Sequence, residues 1–265
     1  MTPIAEIVRW LETRIPSKLA EDWDNTGLLV GDANQNALAV MTCLTLTRDV
    51  VREALTKHVD LVVAHHPLPF KPLKSITTAS YYGGMIWALA NASVSVYSPH
   101  TAWDSAAKGI NHMLAEMLQL QRIEPLLQHT DIVLAQSGLG TGRIGEFAQP
   151  ESIQYTAKKL KSLLPSARPR GVVCHDEHRR IAICCGSGGS LLSAAIQRGC
   201  DLFITGEATY HHCVEARDRD VSLLLLGHFA SERFAMDILA KELSCDFPAV
   251  KIWSSTSESD PVCNL

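Results

Sequence analysis

Three short clusters of histidine and acidic residues are the part of the sequence best suited to chemistry. Each cluster follows an apolar run of strand length: His65-His66-Pro67, His100-Thr-Ala-Trp-Asp104 and His228-Phe-Ala-Ser-Glu232. The ends of strands that meet at one edge of an open α/β sheet are where such proteins place their ligands. Imidazole and carboxylate groups gathered at that edge would bind divalent metal ions, and there are enough of them for two ions.

The adjacent pair His65 and His66 would point to opposite faces if the strand continued through it. Pro67 cannot donate to a strand ladder and restricts the residue before it, so we expect the strand to end here. Both imidazoles can then reach into one cavity, where each would serve a different ion.

The other two clusters place a histidine four residues before an acid, at the junction of a strand and a helix. Residues four apart share one face of a helix, so both side chains of each pair could reach one ion. An alternative for Asp104, which precedes Ser105, is that it caps the helix. A histidine of this kind taken alone is more often a hydrogen-bonded structural residue, and it is the combination of several at strand ends that indicates a metal site.

The chain has 265 residues and a formal charge of −4, with Lys and Arg spread along it. This distribution gives no basic patch and disfavours a nucleic-acid partner. No apolar run approaches the ~18 residues of a membrane span. The first residues carry Glu6, Arg9, Glu12 and Arg14, which predicts an amphipathic helix instead of a signal peptide. We therefore expect a cytoplasmic protein that does not act at a membrane.

Eight cysteines occur without a Cys-x-x-Cys pair, and Cys43, Cys184 and Cys185 lie inside apolar runs. Thiols in such runs usually act as small buried hydrophobic groups in a reducing compartment. The pattern disfavours both a disulfide scaffold and a cysteine-ligated metal.

Apolar runs alternate with helical patterns along nearly the whole chain, which is typical of βαβ construction. Strands are predicted near 38–46, 60–64, 93–97, 131–135, 181–185, 201–205 and 222–226. Helices are predicted near 3–14, 48–57, 81–91, 105–118, 151–164, 189–199, 209–217 and 230–243.

An internal repeat divides these elements into two similar halves. Residues 50–64 align without a gap on residues 191–205, and Asp60 and Asp201 each open a strand at the same place in the repeat. We predict two α/β domains, each a mixed sheet flanked by helices, whose equivalent strand ends face a shared cleft. The predicted bounds are 1–128 for the first domain, 129–253 for the second and 254–265 for a flexible tail.

Several motifs match a known family in order along the chain. They include Trp23-Asp-Asn-Thr-Gly-Leu-Leu-Val-Gly31, His65-His66-Pro67, Ser98-Pro-His-Thr-Ala-Trp-Asp104, Gly186-Ser-Gly-Gly189, Thr205-Gly-Glu207 and Gly227-His228 with Glu232. From about residue 4 to residue 253 the sequence resembles the Nif-three family, also known as dinuclear metal centre hexameric proteins or GTP cyclohydrolase 1 type 2 homologues. The segment between Asp131 and Arg180 is too short for the inserted domain of longer members, so the chain is similar to the short bacterial form.

The resemblance implies a ring-like homohexamer whose chains each bind two divalent ions, which could be zinc, iron, manganese or nickel. It further implies that Glu232 bridges the ions and that the metal ligands are His65, His66, Asp104, His228 and Glu232. His100 matches a family histidine outside the ligand set, which makes a catalytic proton-handling role and a structural hydrogen bond equally acceptable interpretations.

Three hypotheses for the function follow. Five ligands cannot saturate two ions, and open positions favour a hydrolase that activates water. In the version that the family label suggests, the substrate is a purine nucleotide such as GTP. The alternatives are a hydrolase of phosphate esters or other cyclic amides, and a non-catalytic scaffold that stores or delivers metal.

Further residues have two interpretations each. Glu207 and His211 could line the cavity or simply begin a helix. The Gly186–Gly189 turn could hold an anion, although a turn without ligand is favoured because it lacks the Lys of a phosphate-binding loop. Asp24 and Asn25 are interpreted as turn formers, and their match to the family motif leaves a place near the cleft as the alternative.

Overall fold

A computed structural model describes residues 1–263 of the protein. Its strands, in chain order, are β1 Thr2–Pro3, β2 Gly27–Val30, β3 Asn36–Ala37, β4 Ala39–Cys43, β5 Leu61–Ala64, β6 Ser95–Ser98, β7 Gln121–Glu124, β8 Leu127–Gln128, β9 Gly140–Thr141, β10 Arg143–Glu151, β11 Arg170–Val172, β12 His178–Cys184, β13 Leu202–Thr205, β14 Ser222–Leu225 and β15 Lys251–Ser254.

Ten α-helices accompany these strands within the described residues. They are α1 Ile4–Arg14, α2 Arg48–Thr56, α3 Tyr81–Asn91, α4 His100–Ser105, α5 Ile110–Met117, α6 Ile132–Gln136, α7 Ile153–Leu163, α8 Leu192–Gln197, α9 Tyr210–Asp218 and α10 His228–Asp246, and short 3-10 helices cover Ser17–Leu19 and Gly188–Leu191. None of the helices in residues 1–263 has both the length and the apolar character needed to cross a membrane.

The chain folds into two compact units. The first contains residues 1–103 and the chain from residue 235 onward, and the second contains residues 104–234. This division differs from the predicted boundary after residue 128, because one strand of each predicted domain joins the sheet of the other domain. Strand β7 pairs with β10 in the second unit, and β15 pairs with β4 in the first.

The sheet of the first unit has the strand order β15-β4-β5-β6-β2. All neighbours are parallel except β2, which runs antiparallel to β6 at one edge. Every residue of β4, β5 and β6 is buried. Helices cover both faces of a parallel sheet, and this is why these strands appear in the sequence as continuous apolar runs without alternation.

The sheet of the second unit has the order β11-β14-β13-β12-β10-β7. Its three inner strands β12, β13 and β14 are parallel, whereas β10, β7 and β11 join it antiparallel. The predicted fold class, two similar α/β domains that each contain a mixed sheet flanked by helices, is confirmed.

The internal repeat is visible in individual hydrogen bonds. The Asp60 carboxylate accepts the backbone N–H groups of Leu38 and Ala39 at 2.7 and 2.9 Å. The Asp201 carboxylate accepts those of Arg179 and Arg180 at 2.9 and 3.1 Å, near the start of β12. The same aspartate therefore ties the loop that precedes the central strand to the start of the neighbouring strand in both units.

The predicted strand at 131–135 is wrong, because this segment forms helix α6. Asp131 caps that helix by accepting the N–H groups of Val133 and Leu134. The side chains of Ile132 and Val133 are 72% and 69% exposed, so the apolar run does not mark a core strand. The single helix predicted over 105–118 is also divided, since α4 ends at Ser105 and α5 begins after Gly109.

Residues 254–258, the first five of the predicted flexible tail, are bound to the first unit. Ser255 is buried, and the Glu53 carboxylate of α2 accepts hydrogen bonds from Ser255, Thr256 and Ser257. Glu258 also accepts two backbone N–H groups. Asn264 and Leu265 lie outside the described residues.

Candidate metal-binding residues

His65 and His66 directly follow strand β5. The backbone N–H groups of these residues still donate to the carbonyls of Cys43 and Leu44, both at 2.9 Å. Beyond Ala64 the extended strand geometry ends, and the two imidazole centroids lie 5.0 Å apart. The structure thus brings the two neighbouring rings together, as the sequence predicted.

His100 completes a group of three histidines in the first unit. One ring nitrogen from each of His65, His66 and His100 lies within 4.8 Å of the others. His100 begins helix α4 with a positive φ of 32°, an uncommon backbone conformation for a residue with a side chain. Strained backbone of this kind persists only where the surrounding structure imposes it, and it is found most often at functional sites.

Asp24 holds the ring of His100 in place. Its Oδ1 lies 2.6 Å from His100 Nδ1, and its Oδ2 accepts the N–H and hydroxyl groups of Thr101 at 3.1 and 2.5 Å. Burial alone would raise the pKa of Asp24, but these hydrogen bonds outweigh it and lower the pKa to about 2. Asp24 is therefore ionised at neutral pH. It contacts His100 and has more than the turn-forming role that the sequence suggested.

His228 and Glu232 form the corresponding pair in the second unit, at the start of α10. The distance from His228 Nε2 to Glu232 Oε2 is 3.0 Å, and Glu232 is buried. On the other side of the ring, His228 Nδ1 lies 2.5 Å from Glu207 Oε1, which also accepts the hydroxyl of Ser187.

The carboxylates of Glu232 and Glu207 change the pKa of His228. Burial would lower the pKa of His228, but the hydrogen bonds and charges of Glu232 and Glu207 raise it to about 9. The hydrogen bond from His228 in turn lowers the pKa of Glu207. A cation bound to His228 must therefore displace a proton, which is the usual competition between metal and proton for imidazole.

Glu207 lines an open pocket of about 360 Å³ whose wall contains none of the five predicted metal ligands. Its neighbour along the wall is His212, whose side chain also caps helix α9. The ring of His211 is exposed and packs edge-on against Tyr210.

The carboxylates of Asp104 and Glu232 both act on the thiol of Cys184, a half-buried residue at the end of β12. Burial, and then the charges of Asp104 and Glu232, raise the pKa of the Cys184 thiol. This keeps the thiol neutral, and a neutral thiol is a poor metal ligand. Asn111 fixes the backbone here, since its amide donates to the Asp104 carbonyl and accepts the Cys185 N–H at 3.0 and 2.7 Å.

The turn at Gly186 makes room for the Glu232 carboxylate. Gly186 has φ +63°, and a Cβ atom there would lie 2.1 Å from Glu232 Oε1. The N–H groups of Gly186 and Gly188 donate to the hydroxyls of Ser231 and Thr205 at 2.9 and 3.1 Å. Because protein hydroxyls use these N–H groups, the structure favours the glycine turn without an anion.

Three of the candidate histidines share one feature: a polar side chain engages Nδ1. The partners are Thr45 Oγ1 for His66 at 2.7 Å, Asp24 Oδ1 for His100 at 2.6 Å and Glu207 Oε1 for His228 at 2.5 Å. Such hydrogen bonds orient imidazoles that bind metal and select Nε2 as the coordinating atom. The donor types and their orientation fit divalent cations. Nothing in the sequence indicated a role for Thr45. For Asp24, the one sign was its place in the family motif at residues 23–31.

Comparison with known proteins decides the family. Residues 2–261 match the family model described as Duf34/NIF3 (NGG1p interacting factor 3). The chain belongs to the Duf34/NIF3 family. The resemblance stated from the sequence motifs is thereby confirmed.

Relatives of this NIF3 family protein span nearly its whole length. NIF3-like protein 1 of Drosophila melanogaster is 34% identical, covering 99% of this chain and 89% of the relative. A GTP cyclohydrolase 1 type 2 homolog of Clostridium acetobutylicum is 30% identical, covering 91% and 89%. A crystal structure of a Staphylococcus aureus protein superposes with a TM-score of 0.88 at 26% identity, covering 100% and 99%.

Proposed function

We propose that this protein is a metal-dependent hydrolase that binds two divalent ions. The proposed ligands are His65, His66, Asp104, His228 and Glu232. The observation that carries the proposal is the fixed Nδ1 partner on each of His66 and His228, because it orients Nε2 for coordination. The absence of a side chain at Gly186 leaves room for the Glu232 carboxylate, because a Cβ atom there would lie 2.1 Å from Glu232 Oε1.

When bound, the ions would lower the pKa of a coordinated water toward ~7 and stabilise negative charge that develops on the substrate. The protein's own residues would handle the protons. His100 would accept a proton at Nε2 and return it to the leaving nitrogen, while the ionised Asp24 at Nδ1 stabilises the charged ring.

We propose a purine nucleotide such as GTP as the substrate, opened by water at C8 of its imidazole ring. The names of the bacterial relatives support this class. Aromatic side chains beside His100 support it as well. The centroids of Trp23 and Phe70 lie 6.1 and 5.8 Å from the His100 ring, and Trp23 is 62% exposed. An exposed indole offers a stacking surface to a planar heterocycle.

Elemental analysis of the purified protein tests metal binding directly. We expect about two ions per chain, falling sharply in the double variant His65→Ala, His66→Ala and in Glu232→Gln. His211→Ala is the matched control, since this exposed histidine packs against Tyr210. Circular dichroism confirms that each variant is folded. Absence of metal from the wild-type protein even after reconstitution would contradict the proposal.

Turnover tests the reaction. Protein loaded with metal should convert GTP with loss of the purine absorbance, and Asp104→Ala should abolish this. His100→Ala and Asp24→Asn should lower the rate about 10²- to 10⁴-fold while the metal content stays unchanged. Turnover that survives Asp104→Ala would refute the assignment of Asp104 as a metal ligand, and metal binding without turnover of any nucleotide would refute the proposed substrate class.

We also propose a homohexamer, following the family resemblance. The first unit has large exposed apolar side chains that a subunit interface would cover, among them Ile76, Tyr82 and Trp87. Light scattering on the eluting protein should give a mass of about six chains of 29.0 kDa. A monomeric mass across the concentration range would contradict this.

A further inference from the structure

The segment after β15 is held against the first unit by two carboxylates. Glu53 of α2 accepts the hydroxyl of Ser255 at 2.7 Å and the N–H groups of Thr256 and Ser257 at 3.1 and 3.0 Å. Ser255 itself donates its backbone N–H to the carbonyl of Thr42 at 2.8 Å. These bonds fix the path of residues 255–257, and they carry the next acidic residue, Glu258, to the end of strand β4.

Glu258 binds the loop that follows β4. Its Oε1 accepts the backbone N–H groups of both Leu44 and Thr45, at 2.7 and 2.8 Å. A carboxylate that accepts two neighbouring N–H groups makes short charge-assisted bonds and fixes the orientation of both peptide units.

The same two loop residues hold His66. Thr45 Oγ1 lies 2.7 Å from His66 Nδ1, and the Leu44 carbonyl accepts the His66 backbone N–H at 2.9 Å. Side chain and backbone of His66 are therefore both bonded to the loop that Glu258 fixes. Two successive hydrogen bonds thus connect Glu258 to the imidazole through Thr45, and neither is longer than 2.8 Å.

We infer that Glu258 is a positioning residue for the metal ligand His66, acting through Thr45. The inference rests on the proposed function in one respect, the assignment of His66 as a ligand. With Glu258 in place, the Thr45 hydroxyl stays on Nδ1 and Nε2 is presented to the cation. Without Glu258, residues 44–45 gain freedom and the imidazole loses its fixed orientation. Removal of such outer hydrogen bonds typically weakens metal binding 10- to 100-fold.

Competition of the full-length protein with a chromophoric chelator for Zn²⁺ provides the first test. We expect Glu258→Ala and Thr45→Val each to bind Zn²⁺ about 10- to 100-fold more weakly than the wild type. The double variant should lose little more than either single variant, because both act in one series. Glu258→Gln keeps one oxygen acceptor and should retain part of the affinity. The control Asp260→Asn alters a nearby acid that accepts the N–H of Val262, and its affinity should be unchanged.

The state of the His66 ring in metal-free protein provides a second readout that general destabilisation does not move. ¹⁵N NMR of the imidazole nitrogens should show one dominant tautomer in the wild type and in Asp260→Asn, and a mixed or altered one in Glu258→Ala. Unchanged affinity and an unchanged tautomer in Glu258→Ala would overturn the inference. If the wild type binds no Zn²⁺, the proposed function fails, and the NMR comparison alone decides whether Glu258 positions the ring.

Discussion

Replacing Glu53 by Gln should destabilise the protein in a way that depends on pH. The buried Glu53 carboxylate is surrounded by donors, with Lys57 Nζ, Trp253 Nε1 and Thr256 Oγ1 at Oε1 and three further donors from residues 255–257 at Oε2. A glutamine amide has one oxygen, so its NH₂ group must face one of these sets. Three donors then lose their acceptor, at about 1 kcal/mol each, and we expect a loss of about 3 kcal/mol.

The pH dependence follows from the sign of the pKa shift. Burial would raise the pKa of Glu53, but hydrogen bonds from Lys57, Ser255, Ser257 and Thr256 outweigh it and hold the pKa well below its usual value. A lowered pKa contributes stability above the unfolded-state pKa of about 4.3. That contribution is lost as the pH falls from there toward the folded-state pKa.

Urea denaturation at a series of pH values measures both effects. The stability difference between wild type and Glu53→Gln should be near its full value at pH 7 and should shrink below about pH 4.3. The control Asp49→Asn, on the same helix, removes an exposed pair with Arg52 and should cost less than about 1 kcal/mol. A difference of zero at pH 7, or one that does not change between pH 7 and pH 3, would show that the Glu53 carboxylate does not stabilise the fold in this way.

Three further substitutions test the second unit. Gly186→Ala should cost about 1–2 kcal/mol for its left-handed backbone and should also reduce the metal content by crowding Glu232. The matched control Gly199→Ala has φ +66° and open space around the added Cβ, so it should show the backbone cost alone, and equal effects in the two variants would contradict the crowding. Arg143→Ala should cost about 3–5 kcal/mol in urea denaturation, because the fully buried guanidinium donates to the carbonyls of Gly140, Gly142 and Ala106; a loss below 1 kcal/mol would contradict this. Asn111→Ala should cost about 2–3 kcal/mol through two lost buried hydrogen bonds, and a chain that stays equally stable would show that the link between Asp104 and Cys185 is not needed.

Much of the fold could be predicted because its central strands are buried on both faces. Runs such as Leu61–Ala64 and Leu202–Thr205 are almost wholly apolar and buried, and helix α2 before the first run has a clear amphipathic pattern. The local sequence pattern did not predict the structure of segments whose conformation depends on residues far away in the chain. Strand β15 has its place because it pairs with β4, about 210 residues earlier, and Ile132 and Val133 form an exposed helix although their composition is that of a strand.

The order of residues along the chain is enough to place His65 and His66 directly after β5 and His228 one helical turn before Glu232. These facts depend on order and spacing along the chain, which are local. The hydrogen-bond partner of each ring is known from the folded structure alone: Thr45 for His66, Asp24 for His100 and Glu207 for His228. These partners lie 21 to 76 residues away, and Glu258 reaches the same loop from 214 residues away. Hydrogen-bond partners of that kind are selected by sheet pairing and helix packing, and no short sequence pattern encodes them.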